Sequence, residues 1–148
     1  LIHGRQGLTP RLMHDLATLS ERLRTNVLLV GGNHDRDLQM SVLPRTTAFR
    51  LGELWLSHEP EEGPDKAELL NVCGHIHPAV TLRHGADRLR LPCFAFDKLE
   101  QRMLIPAFGE LTGGHDCGDR YRTWLVADGV IVPWFDPLPK NQGRRPAA

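Results

Sequence analysis

The chain is poor in most of the features that mark a special environment. It has three cysteines, Cys73, Cys93 and Cys117, an odd number with no close pair. That argues against a disulfide framework and for a reducing, cytoplasmic compartment, with each thiol a small buried or half-buried residue. No apolar run approaches the roughly 18 residues of a membrane span, and the opening residues do not read as a signal peptide. Net charge is absent too, since 18 basic and 18 acidic residues cancel. A global electrostatic footprint for nucleic acid or membrane is thereby excluded. Lysine is scarce: 15 of the 18 basic residues are arginines, whose planar donor forks suit phosphate, so a local basic groove stays open although composition cannot place it. No Gly-x-Ser-x-Gly or His-Glu-x-x-His stretch supports a hydrolase acting on carbon esters. There is no internal repeat.

What is present is an ordinary soluble composition: 148 residues, 41% hydrophobic and 24% charged, within the range of one domain. Thr9-Pro10 reads as a helix start, a capping hydroxyl followed by a proline whose missing N–H costs nothing. Leu12, Leu16, Leu19 and Leu23 then form one apolar stripe, expected to pack on a sheet. Val27–Val30 reads as a fully buried strand. Helix, strand and glycine-rich loop in that order make an α/β (α+β) pattern. Hairpins are expected at Thr46–Arg50 with Glu53–Ser57, at Ala79–Arg83 with Arg88–Phe96, and at Thr123–Ala127 with Val130–Trp134 across Asp128-Gly129. Leu69–Cys73 and Arg102–Pro106 fit further strands. The domain is expected over 1–136, with 137–148, rich in proline and basic residues, as a flexible tail.

Three of these strands end in polar loops: Asn33-His34-Asp35, His58-Glu59, and His75-Ile76-His77. Catalytic groups in α/β sheets gather at the carboxyl ends of strands. Alternation along an extended chain would throw His75 and His77 to one side, able to hold one metal or one ligand each of two. Asn33 offers a hard amide oxygen. His34 brings an imidazole, whose ordinary pKa near neutrality suits proton transfer, and Asp35 could fix its tautomer. Taken singly, each loop is compatible with a plain turn or with solvated histidines. Taken together, histidine with oxygen donors suits manganese, iron or zinc better than magnesium or calcium.

The ordered set "GNHD", a histidine after a strand, and "GHIH" resembles the calcineurin-like metallophosphoesterase superfamily. The stretches "FRLGELWLSHEP", "NVCGHIHPAV" and "LPCFAF…LIPAFGELTGG" resemble its bacterial branch of ligase-associated DNA-damage-response endonucleases. The resemblance spans roughly His3 to Trp134. It implies a β-sandwich flanked by helices, with two divalent metals at the sheet ends: manganese first, iron or zinc as alternatives. Asn33, His58 and His75 would bind one metal and His77 the other. His34 would be the general acid, oriented by Asp35, while His3 and Arg5 would touch substrate. The implied chemistry is in-line attack of an activated water on a phosphodiester, with DNA as substrate and ligase- or repair-associated proteins as partners, and no membrane. The alternatives are a nucleotide or small-phosphodiester hydrolase, and a non-catalytic metal-binding module.

The family's two earlier motifs, Asp-x-His and Gly-Asp, do not precede Asn33. The opening Leu1–Gly7, "LIHGRQG", is similar to the segment that follows Gly-Asp in the family. The expectation is a C-terminal portion of the domain without the bridging carboxylate, binding at most one metal weakly and hydrolysing little. The remaining candidates read as structural: Trp55, Trp124 and Trp134 as core or half-core aromatics, His14 and His84 as solvated. His115 and Asp116, set among glycines, read as a mobile loop able to line a cleft.

Overall fold

Thr9 caps the first helix as its sequence suggests, its hydroxyl accepting the Leu12 amide at 3.2 Å, with Pro10 in the first turn. In the computed structural model, which describes residues 9–33, 43–64, 68–109 and 112–134, the helical stripe is split in two. Helix α1 (Pro10–Ala17) stops at Thr18, whose hydroxyl donates to the carbonyls of His14 and Asp15 at 3.1 and 3.3 Å. Such back-bonding competes with the helical ladder. Helix α2 (Leu19–Leu23) then runs one turn and ends at Arg24 in the left-handed region, φ 52°. Leu16 is buried against Leu43, with Leu12, Leu19 and Val27 around them. Leu23 drops out of the stripe and is exposed.

The strand expected at Val27–Val30 is shorter and less enclosed than its apolar run implies. Only Leu29–Val30 (β1) is extended, paired in parallel with Arg45–Thr46 (β2). Both β1 residues are half-buried and Leu28 is exposed. Among the described residues β1 has one neighbour, β2, so it is half of a two-stranded pair rather than a central strand covered on both faces.

The three predicted hairpins all form, and one long strand joins two layers. The strands are β3 (Ala48–Leu51), β4 (Leu54–Ser57), β5 (Leu70–Cys73), β6 (Pro78–His84), β7 (Asp87–Asp97), β8 (Arg102–Leu104), β9 (His115–Asp116), β10 (Arg122–Ala127) and β11 (Val130–Trp134). The first layer runs β11-β10-β7-β8-β5-β4-β3, and β6 branches off β7 and carries β9 on its other side. The first half of β7, up to Pro92, pairs with β6, while Cys93–Asp97 pairs with β8 and β10. Buried Cys73, Cys93, Ala95, Leu104 and Leu125 form the core, and Val80, Leu82 and Leu91 of the β6–β7 layer pack onto it. This is a β-sandwich in a mixed α/β chain. Asp128 and Gly129, φ 48° and 76°, make the turn that their dipeptide announces. All three cysteines are free, and burial pushes the Cys73 thiol up to about 11. Among the described residues no helix is long and apolar enough to cross a membrane.

Strands β4, β5 and β8 are parallel neighbours, with Ser57 opposite Cys73 and Cys73 opposite Leu104. Their carboxyl ends therefore open on one edge, and that edge carries the candidate site.

Candidate metal centre

His58 follows Ser57 at the end of β4, and His75 follows Gly74 at the end of β5. Parallel register puts the two loops side by side, and the backbone locks them there. The carbonyl of His58 accepts the amides of Gly74 and His75 at 3.2 and 2.9 Å. Beneath them, buried Asn71 donates to Ser57 Oγ and Trp55 O at 2.8 and 3.1 Å. Its Oδ1 accepts from the Glu61 amide and Arg102 Nε, and Ser57 Oγ donates to Glu59 O at 2.7 Å. All of the polar capacity of Asn71 is thus spent on fixing the floor on which His58 stands.

Three predicted ligands meet above that floor. His58 Nε2 lies 2.8 Å from Asn33 Oδ1 and 3.0 Å from His75 Nδ1, with the two rings edge-on at 4.9 Å between centroids. Asn33 arrives from the other element, at the end of β1, through Gly31-Gly32. The glycine at 32 is a steric requirement. A Cβ there would come within 2.5–2.7 Å of three His58 ring atoms, closer than any carbon contact tolerates.

The donor set fits a divalent cation. An imidazole nitrogen carries either one proton or one in-plane lone pair, so His58 Nε2 cannot make full hydrogen bonds with both neighbours, whereas a shared cation would satisfy all three groups. Donors on adjacent octahedral corners about 2.1 Å from a metal stand about 3.0 Å apart, close to the spacings here. Two imidazole nitrogens together with a hard amide oxygen suit a cation of the manganese, iron or zinc type. Among the described residues no cluster of three or more His, Cys, Asp or Glu side chains surrounds the position.

His77 departs from the extended-chain expectation. Residues 75 and 76 form a turn, and His77 is left-handed at φ 51°, its carbonyl accepting the His115 amide at 2.8 Å. The alternation that would put both imidazoles on one side does not apply in a turn. His75 instead lines a hollow of about 510 Å³ with Ile76, Leu104, His115, Asp116, Cys117 and Tyr121. His77 lines another of about 470 Å³, with Arg90, Pro92 and Phe108. The catalytic candidates His34 and Asp35 and the substrate candidates His3 and Arg5 lie outside the described residues, as does the segment 137–148.

Residues His115 and Asp116, read as loop, form β9 and pair in parallel with Pro78 and Ala79. No local signal announces a two-residue strand held by a partner 37 positions away. Asp116 is held below the ordinary carboxylate value, first by the Thr81 hydroxyl, then by the Gly118 amide, with Arg90 and Arg83 adding to it. Beside it, the Cys93 and Cys117 sulfurs lie 3.7 Å apart. The Cys93 thiol is pushed up by that contact and by burial, and Cys117 is lowered as its acceptor.

No protein-family model and no curated protein matches the chain. Among solved structures, the chain is similar to the Pseudomonas putida nuclease MPE, with 32% identity and a TM-score of 0.70, over 90% of this chain and 67% of that one. Identity at that level over two thirds of a solved domain goes beyond shared architecture, and the chain belongs to the same family as the Pseudomonas putida nuclease MPE.

Proposed function

We propose that the protein is a metallophosphoesterase of the calcineurin-like type, hydrolysing phosphodiesters with divalent metal, manganese in the first place, and that DNA is its substrate. The observation that carries this reading is the meeting of Asn33 Oδ1, His58 Nε2 and His75 Nδ1 within 2.8 and 3.0 Å at one sheet edge. The family relation to a nuclease supports the same class of substrate. Asn33, His58 and His75 would hold one cation, and His77 would contribute to a second. Such cations supply Lewis acidity, lowering the pKa of water and offsetting charge on the phosphoryl oxygens.

The chain's own groups supply the remainder. The His58 carbonyl and Gly32 keep the imidazoles in place without spending a donor atom. His34 directly follows Asn33 in sequence and would give its proton to the departing ester oxygen as the phosphorus–oxygen bond breaks. Asp35 would hold the His34 tautomer. Water adds to phosphorus, one ester oxygen leaves as an alcohol, and a phosphomonoester remains.

The test is hydrolysis of bis-p-nitrophenyl phosphate and nicking of supercoiled plasmid with manganese chloride. Both should occur at the low rate expected of a chain without the bridging carboxylate, both should stop in EDTA, and His58→Ala or His75→Ala should lower both by at least about 100-fold, the scale on which misplacing a reacting group acts. Turnover of the small diester with intact plasmid would indicate a small-phosphodiester hydrolase. Calorimetric binding of manganese without any turnover would leave a non-catalytic metal-binding module.

A further inference from the structure

Cys93 and Cys117 stand 24 positions apart in the chain, and the fold brings their sulfurs to 3.7 Å. That is plain contact, and a disulfide, with its sulfurs about 2.05 Å apart, is about 1.7 Å of approach away. The two thiols are placed unequally. Cys93 sits inside β7, opposite Leu125 of β10, and has no exposed surface. Cys117 follows β9, is half-buried, and lines the hollow of about 510 Å³ that His75 also lines. The residue after it, Gly118, is left-handed at φ 61° and starts a single turn that ends at Arg120. The Cys117 amide reaches the Ala79 carbonyl at a long 3.3 Å. Cys117 is therefore the partner that can move, and the one a small molecule in the hollow meets first. The protons favour the same order. Contact with Cys117 and burial keep the proton on Cys93, and by donating it Cys93 stabilises a thiolate at Cys117. Cys73 is buried, its thiol pushed up to about 11, which makes it a poor point of entry.

We infer that Cys93 and Cys117 form a reversible disulfide, with a hydroperoxide as the oxidant, and that the bond staples the segment after β9 to β7. In the first step the Cys117 thiolate attacks one peroxide oxygen, the O–O bond breaks, and the other oxygen leaves as hydroxide or alkoxide. Cys117 becomes a sulfenic acid. In the second step the Cys93 sulfur attacks the Cys117 sulfur, the S–O bond breaks, and the sulfenic oxygen leaves as water with the Cys93 proton. Two electrons pass from the thiols to the peroxide. A small dithiol reverses the bond by exchange, so in a reducing compartment the disulfide is transient, as redox-sensing disulfides are. The bond closes the chain over residues 94–116, which restricts the unfolded state and favours the folded one. Neither step uses the metal centre or the phosphodiesterase chemistry.

The experiment exposes the folded, reduced protein to a small molar excess of hydrogen peroxide, then denatures it in iodoacetamide and digests it with trypsin. Trypsin puts the three cysteines on separate peptides, residues 67–83, 91–98 and 103–120. Mass spectrometry should find 91–98 joined to 103–120, two hydrogens below their summed mass, with Cys73 alkylated, and dithiothreitol before alkylation should abolish the link. The thermal midpoint should rise by at least about 5 °C on oxidation and return on reduction. Cys93→Ala should leave a sulfenic acid on Cys117 that dimedone traps, and Cys117→Ala should leave Cys93 unoxidised under the same exposure. The link itself is read on the unaltered protein, so the result stands even where a variant fails to fold. Full alkylation of Cys93 and Cys117 after an exposure that oxidises free cysteine would overturn the inference. So would a link through Cys73 or between two chains, dimedone on Cys93 in Cys117→Ala, or a midpoint unchanged or lowered in the linked protein.

Discussion

Replacing Gly32 by alanine adds one methyl group at the point where the candidate centre is tightest. The new Cβ would stand 2.5, 2.6 and 2.7 Å from Cε1, Nδ1 and Nε2 of His58. Ordinary carbon contacts begin near 3.5 Å, so the imidazole must retreat by about 1 Å. It has little freedom to do so gracefully, because its backbone carbonyl is tied to two amides of the next loop and the preceding Ser57 is buried in the Asn71 network. The ring rotates away, and its contacts to Asn33 and His75, now 2.8 and 3.0 Å, open to about 4 Å, beyond hydrogen bonding or shared coordination. Folding stability changes little: lost contacts cost about 1 kcal/mol, and removing a glycine from the unfolded chain returns about half to all of that. Function should change far more, since a 1 Å misplacement costs about 100-fold in rate. Manganese affinity by calorimetry and diester hydrolysis should both fall, with the thermal midpoint nearly unmoved. Gly31→Ala is the control, because its Cβ meets the Arg45 guanidinium, the mobile end of a long side chain. If Gly32→Ala binds manganese and hydrolyses the diester as well as the unaltered protein, the steric account of the centre is wrong.

The structure supports three further expectations. Asn71→Leu leaves four polar groups without their partner in a buried position and should destabilise by about 2–4 kcal/mol, read from urea unfolding. The depressed Asp116 carboxyl contributes stability that is present above its ordinary value of 3.8 and is lost as pH falls through the lower folded value. Removing its first cause with Thr81→Val should raise the carboxyl midpoint in a carbon-13 NMR titration, and an unchanged midpoint would refute the assignment. Cys117, half-buried and lowered by the Cys93 thiol, should be alkylated by iodoacetamide before buried Cys73 and Cys93. Mass spectrometry after limited reaction at pH 8 checks the order, and Cys93→Ala should slow the Cys117 reaction.

Much of the β structure is readable from short-range chemistry. The hairpins at Gly52, Gly85 and Asp128-Gly129 follow from turn residues that tolerate positive φ, and the cap at Thr9 follows from a hydroxyl preceding a proline. Local signals misled where a long-range contact decided the outcome. The break in the Leu12–Leu23 stripe is by contrast local, since the Thr18 hydroxyl bonds back to His14 four residues earlier and ends the helix. Val27–Val30 has the composition of a central strand, but burial depends on how many neighbours a strand acquires. His115 and Asp116 carry no strand signal because their pairing is made with Pro78 and Ala79.

The candidate site divides the same way. The amino-acid sequence by itself determined which groups are available: an amide and several imidazoles at strand ends, placed after glycines, with chemistry suited to a borderline divalent cation. It also determined an arginine-rich basic complement with no net charge. Only the tertiary structure decided that Asn33 and His75 both reach His58 Nε2, because that depends on β4 and β5 lying parallel and in register and on Asn33 arriving from the end of β1. It likewise decided that His77 lines a separate hollow beside Arg90 and that Arg83 stands across the β6–β7 hairpin from Arg88. Side-chain identity is local, whereas proximity between residues tens of positions apart is created by strand pairing, and no spacing along the chain encodes it.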